Sequence, residues 1–400
     1  MPKAYTGPMG GRSAARYYLA LGCWMSVMAG CQVYDFQPVE PLTIAQTTQP
    51  KTVVARALKP NLMLTVDTSG SMLEPVDSTA SACRVNGAAC GSGPSQSPCP
   101  VSCPTRLVEM KSAMNNFLTQ FGTSARMGAV YYPRDPLCSA PSAGQVDVAL
   151  PGASNSDDDA ALANQSAQVN SVIQAFTAKG GTPTGNTLKA LGTYGPLLDA
   201  TRDNFILLLT DGLPNCNATN PNYATAACAC TVAPVNGVDF CAPGQPLEAK
   251  GCLDSDATVA QVRTLRETLG VQTIVVGFGS ELTGGDGPKT LQALAEAGGF
   301  AVTYYRASNG AELAEQLSVI GGVLSEEVCE MTLDTAPSDP RYISVIVDGE
   351  AQAAGWVYGL ADSGGVQVPR ITFEGALCDR LKASSSSDPV EIEIKIVETF

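Results

Sequence analysis

The sequence predicts an α/β protein: a doubly wound, mostly parallel sheet flanked by helices, followed by a small all-β, sandwich-like domain. Three observations predict it. Residues 62–66 and 205–209 are near-continuous apolar runs, the pattern of strands buried on both faces of a parallel sheet. Between and after them apolar residues recur at helical spacing, so strands and helices alternate across residues 59–325. Beyond 325 that period gives way to short alternating runs separated by turn dipeptides.

Taken in order, the first strand stops at Asp67, and residues 74–104, rich in Ser, Pro, Gly and Cys, read as a disulfide-stapled loop. Leu107, Met110, Met114, Phe117, Leu118 and Phe121 form one apolar face of a helix. Residues 126–132 and 146–150 read as strands, and 160–178 as a helix with Asp157, Asp158 and Asp159 complementing its N-terminus rather than binding calcium. A glycine-rich turn, 179–185, leads into a helix over 186–198. After the second apolar strand, residues 213–252 form another cysteine-rich insertion. Helices follow at Val259 to Leu269, 289–297 and Leu313 to Leu324, with strands at 271–277 and 302–305. In the last region, 342–347, 355–358, 371–373 and 390–397 read as strands, with turns at Asp348-Gly349 and Gly364-Gly365, and Cys329 and Cys378 bracket the domain as a disulfide.

The chain has 400 residues, room for two or three domains, and a net charge of −14. Such acidity gives no electrostatic footprint for nucleic acid. The chain contains no histidine, which removes Ser-His-Asp and Cys-His catalysis and His-bound zinc. Lys3, Arg12 and Arg16 precede an apolar run, 17–30, that is too short for a membrane span of about 20 residues but fits a secretory signal. Met28-Ala29-Gly30-Cys31 resembles the bacterial lipobox, with Met28 in place of the usual Leu, and predicts lipidation at Cys31. Gln32 after that cysteine resembles lipoproteins sorted to the outer membrane of Gram-negative bacteria. The expected organisation is a signal peptide over 1–30, a flexible tether over 31–58, the α/β domain over 59–325 and the β domain over 326–400. With Cys23 and Cys31 set aside, twelve of the fourteen cysteines remain, an even number that points to disulfides in an exported chain.

The chemistry gathers at strand ends. Asp67, Ser69 and Ser71 alternate just past the first strand, with Gly70 allowing the bend, so one carboxylate and two hydroxyls face one side. Oxygen donors of this kind suit Mg²⁺ or Mn²⁺, held in an octahedron at roughly 2.0–2.1 Å. Asp211 stands at the end of the second apolar strand, and sites of open parallel sheets form at the carboxyl ends of strands.

With these pieces in order, residues 59–325 resemble the von Willebrand factor A family. Its metal-ion-dependent adhesion site has an Asp-x-Ser-x-Ser after the first strand, a Thr in a later glycine-rich turn and an Asp after the fourth strand. The resemblance carries these roles to Asp67, Ser69 and Ser71, to Thr182 and to Asp211. It implies a Mg²⁺ or Mn²⁺ site, with Ca²⁺ a poorer fit, whose open coordination position takes an acidic group of a partner. The expected function is a cation-dependent adhesion module on a lipoprotein, binding a protein or other acidic-group-bearing ligand outside the cell or in its envelope. The alternative is a structural or assembly subunit of an envelope complex in which the metal only stiffens the loops. Catalysis is not expected. Because both cysteine-rich insertions leave the sheet beside the ligands, both are expected to wall the ion and select the partner.

Overall fold

The computed structural model describes residues 53–396 except 57–58, 92–95, 153–156, 233–236, 280–284, 328, 334–335, 338, 364–365 and 383–389. The signal segment, Cys31, most of the tether and the Gly364-Gly365 turn therefore lie outside the described residues.

The chain begins with β1 (Val53–Arg56) and then β2 (Asn61–Asp67), buried along its whole length. The first insertion holds a hairpin, β3 (Arg84–Val85) and β4 (Ala88–Ala89), pinned by Cys83–Cys103 and Cys90–Cys99. Next come α1 (Arg106–Phe121), β5 (Arg126–Tyr132), α2 (Asp159–Ala175), α3 (Thr184–Leu191) and β6 (Asn204–Thr210). The second insertion, closed by Cys228–Cys252 and Cys230–Cys241, leads to α4 (Ser255–Leu269), β7 (Val271–Phe278), α5 (Asp286–Gly298), β8 (Tyr305–Ala307) and α6 (Gly310–Glu327).

Five strands make one sheet in the order β5-β2-β6-β7-β8, and all of its pairings are parallel. Alternation along the strands splits the core. Leu62, Leu64 and Val66 meet α1, α2 and α6 residues such as Met114, Val169 and Leu317, while Met63 and Ile206 meet Leu188, Val262 and Leu291 of α3, α4 and α5. The sheet is thus doubly wound, as expected.

Three expected elements differ. Residues 146–150 make only an isolated bridge, Val148 to Ala129. Side chains take the neighbouring rungs: the Tyr131 N–H donates to Asp147 Oδ2 (3.1 Å), and the Leu150 N–H donates to the Tyr194 hydroxyl (3.0 Å). The helix expected over 186–198 stops at Leu191, because Pro196 belongs to a separate 3-10 turn, Gly195–Leu198. The last strand of the sheet is Tyr305–Ala307 rather than 302–305, and Val302 is exposed.

The remaining elements are β9 (Glu330–Thr332), β10 (Ile343–Val347), β11 (Glu350–Gln352), β12 (Trp356–Ser363), β13 (Val366–Phe373), α7 (Ala376–Lys382) and β14 (Glu391–Ile396). Two antiparallel sheets, β1-β14-β10-β11 and β12-β13-β9, close over a core of Val345, Ile371, Ile392 and Ile394. Cys329 and Cys378 are joined, and Cys378 sits on α7, a helix the sequence reading did not include. Residues 53–56, inside the stretch expected as a tether, are a strand of this sandwich, paired with β14. The parallel-sheet domain is therefore inserted between the first strand of the β domain and the rest of it.

All twelve cysteines after Cys31 are in disulfides, so the gatherings Cys83, Cys90, Cys103 and Cys230, Asp239, Cys241 have no free thiolate for a metal. Among the described residues no helix is long and apolar enough to cross a membrane.

Candidate metal centre

Parallel pairing of β2 with β6 puts their carboxyl ends side by side, so Asp67 and Asp211 share one end of the sheet. Asp67 is fully buried. Its Oδ1 accepts the Ser69 N–H at 2.8 Å and its Oδ2 accepts the Thr210 hydroxyl at 2.6 Å. A 3-10 turn, Gly70–Leu73, then carries Ser71 over the strand end. The Ser71 hydroxyl donates to Asp211 Oδ1 at 2.8 Å. A hydroxyl has one proton, so in the 3.0 Å contact between Ser69 and Ser71 the donor is Ser69. Both serine oxygens keep lone pairs for a cation.

Thr182 arrives from a different part of the chain. The glycine-rich turn is stitched to the serine loop by Gly70 N–H to Gly180 carbonyl (2.9 Å) and Lys179 N–H to Thr68 carbonyl (2.8 Å). Thr182 and Asn215 exchange hydrogen bonds, Thr182 N–H to Asn215 Oδ1 at 2.7 Å and Asn215 N–H to the Thr182 carbonyl at 2.9 Å. Glycine is required here: a Cβ on Gly180 would stand 2.7 Å from the Leu137 carbonyl oxygen, and one on Gly181 would stand 2.6 Å from Cys216 Sγ. Cys138–Cys216 joins the loops on either side of this turn. The Ser71 and Thr182 hydroxyls each lie 3.6 Å from the place a Cβ would occupy on Gly212, so they face one spot beside Asp211.

The five expected residues are thus brought together. Sequence reasoning missed two others. Thr210 holds Asp67, and Arg106, at the start of α1, donates from Nη1 to Asp211 Oδ2 at 2.9 Å, with both side chains nearly inaccessible. Arg106 precedes the helix's apolar residues by one position and looks like an ordinary first-turn residue, so no local signal marked it. Burial, then the neighbouring charge of Asp211, pushes the Asp67 carboxyl up to about 7 despite the hydrogen bonds from Thr210 and Ser69. Tyr132 is pushed up as well, by burial and then by Asp67.

The site opens into a cavity of about 280 Å³ lined by Ser71, Arg106, Thr182, Asp211, Gly212, Leu213, Asn215, Thr231, Asp286 and Gly287. Leu213, Asn215 and Thr231 belong to the second insertion. The first insertion supplies none of these lining residues. It carries its own small core of Cys83, Cys90 and Cys103 and meets the site through the Glu74 carbonyl, which accepts the Arg106 N–H at 3.0 Å. Among the described residues, the second insertion therefore walls the cavity and the first does not.

The donor set fits a hard divalent cation: the Ser71 and Thr182 hydroxyls and the Asp211 carboxylate line one cavity, and Ser69 and Asp67 stand buried behind them, with no thiolate or imidazole among the five. Asp157, Asp158 and Asp159 are elsewhere. Asp158 caps α2 by accepting the Ala161 N–H (2.9 Å), and Asp157 pairs with Arg126 and Arg202 at the opposite end of the sheet.

No family model matches the chain, and no curated protein matches it in sequence. Among solved structures, it is similar to the pilus adhesin SpaC from Lactobacillus rhamnosus GG in its open conformation, at 14% identity and TM-score 0.42 over 86% of this chain and 40% of that one. The PilB minor pilin from Streptococcus sanguinis matches at 15% identity and TM-score 0.42, over 67% of this chain and 61% of that one. The vWF domain of the type V pili tip protein Mfa5 from Porphyromonas gingivalis matches at 13% identity and TM-score 0.40, over 70% of this chain and 99% of that one. The chain spans about 40% of the length of the SpaC chain. At these identities and scores the likenesses carry no argument about what this chain does.

Proposed function

We propose that the chain is a divalent-cation-dependent adhesion module of the von Willebrand factor A type, exported and anchored through lipid on Cys31, facing ligands outside the outer membrane or within the envelope. The observation that supports this reading is the convergence of the Ser71 and Thr182 hydroxyls with Asp211 at one cavity mouth, backed by Ser69 on Ser71 and by the buried Asp67 on Ser69. Mg²⁺ or Mn²⁺ held there would keep an open position for an acidic group of a partner. The protein's own part is to orient the donors. Asp211 accepts the Ser71 hydroxyl's hydrogen bond, which leaves serine oxygen lone pairs for an ion, and Asn215 fixes the turn that carries Thr182. The disulfide set suits the oxidising compartment that this address requires. On this reading the chain is not an enzyme: it binds and releases.

Capture of envelope proteins by the wild-type chain and by Asp67→Asn, each with Mg²⁺ and with EDTA, tests it. Capture is expected only for the wild type in Mg²⁺. Equal capture in EDTA by a folded protein would leave the metal a structural role and refute the adhesive one.

A further inference from the structure

Arg106 sits in the site with no motif to explain it. Its guanidinium runs across Gly279 at the end of β7, where φ is +139° and a Cβ would come within 3.3 Å of Arg106 Nε. From there Nη1 reaches Asp211 Oδ2 at 2.9 Å, with the side chains 2% and 0% exposed. The other Asp211 oxygen accepts the Ser71 hydroxyl. The carboxylate that a divalent ion would use, directly or through water, is therefore already bonded to a permanent positive charge, since a guanidinium does not shed its proton. Arg106 also lines the same cavity as Ser71, Thr182 and Gly212, so an ion held by those hydroxyls would meet it across Asp211 in a poorly screened setting.

We propose that Arg106 is a resident cation that competes with the divalent ion for Asp211 and so sets the ion concentration at which the site engages. This rests on the metal-site reading above and adds a threshold to it. Arg106 has two separable effects. It holds Asp211 in place, so losing it destabilises the chelated protein, because a buried carboxylate loses its ion-pair partner. It also repels the ion, so losing it strengthens ion binding. A residue that merely organised the site would move both quantities the same way.

The test is calorimetric titration of Mg²⁺ and of Mn²⁺ into the full chain in detergent, alongside Tm in EDTA and in saturating ion. Arg106→Gln is expected to lower Tm in EDTA, to bind either ion about tenfold or more tightly than the wild type, and to show a larger rise in Tm on ion addition. Arg106→Lys keeps a charge on a shorter stem and covers the case in which the neutral variant fails to fold. It is expected to bind the ion tighter by less than tenfold, and unchanged or weaker binding there overturns the proposal. If the wild type binds and Arg106→Gln binds equally or more weakly, the competition is refuted while the adhesion site stands. If only Arg106→Gln binds, the competition holds and the native chain is not a cation-dependent module. If neither binds, both fall.

Discussion

The two ends of the parallel sheet bury charge in opposite ways. At the amino end, Asp157 accepts from Arg202 Nη1 (2.9 Å to each oxygen), from Arg126 Nη1 (3.2 Å) and from the Lys59 N–H (3.2 Å), while Lys59 Nζ pairs with Asp159. Asn61 and Asn204, opening β2 and β6, tie this network to the strands through Asn61 Nδ2 to Asn204 Oδ1 at 2.9 Å. Protein cations fully serve the carboxylate there. At the carboxyl end, Arg106 pairs with Asp211, while Asp67 accepts from the neutral Ser69 N–H and Thr210 hydroxyl, and burial, then the charge of Asp211, raises its carboxyl. Equal burial does not mean equal function: one end is closed by its own countercharges, and the other leaves oxygen lone pairs facing a cavity.

The largest expected effect breaks the closed end. Asp157→Ala leaves Arg126 and Arg202 buried without their shared carboxylate, and should cost about 3–5 kcal/mol in denaturant unfolding, with no recovery on adding Mg²⁺. A loss below about 1 kcal/mol, or one that Mg²⁺ repairs, would erase the distinction between the two ends.

The open end should respond with the opposite sign. Asp67 takes up its proton at about 7 when folded, against 3.8 as its ordinary value, so between these values the native state binds the extra proton. Stability of the chelated protein should therefore fall as pH rises from about 4 to about 7 and level off above, by about 2–4 kcal/mol at most. Asp67→Asn removes this slope, is more stable than the wild type above pH 7 in EDTA, and no longer binds the ion. A wild-type stability curve that is flat across that window, once other groups are matched by the variant, contradicts a carboxyl raised by burial and by Asp211.

The smallest effect separates ligand from scaffold. Thr182→Val keeps the shape of a buried residue and removes only the hydroxyl, so ion affinity should drop about tenfold while unfolding free energy changes by less than about 0.5 kcal/mol. A stability loss like that expected for Asp157→Ala would make Thr182 structural.

Read alone, the sequence marked the strands β2 and β6, the helix faces and the Asp67, Ser69 and Ser71 cluster. Each rests on a local pattern: an apolar run, a 3.6-residue period, alternate side chains at a strand end. Periodicity also misled where competition was not local. Residues 146–150 alternate like a strand, yet the Asp147 and Tyr194 side chains take their rungs. Long-range packing set the rest: Val53–Arg56 completes a sandwich whose other strands lie beyond residue 325, the second insertion, unlike the described residues of the first, walls the cavity, and Cys138 pairs with Cys216. It also decided that Arg106 and Asp211, 105 residues apart, meet in the interior. A ligand motif is written in neighbouring residues because its geometry is set by a few backbone angles. A buried countercharge is set by which distant elements pack together, and no stretch of sequence records that.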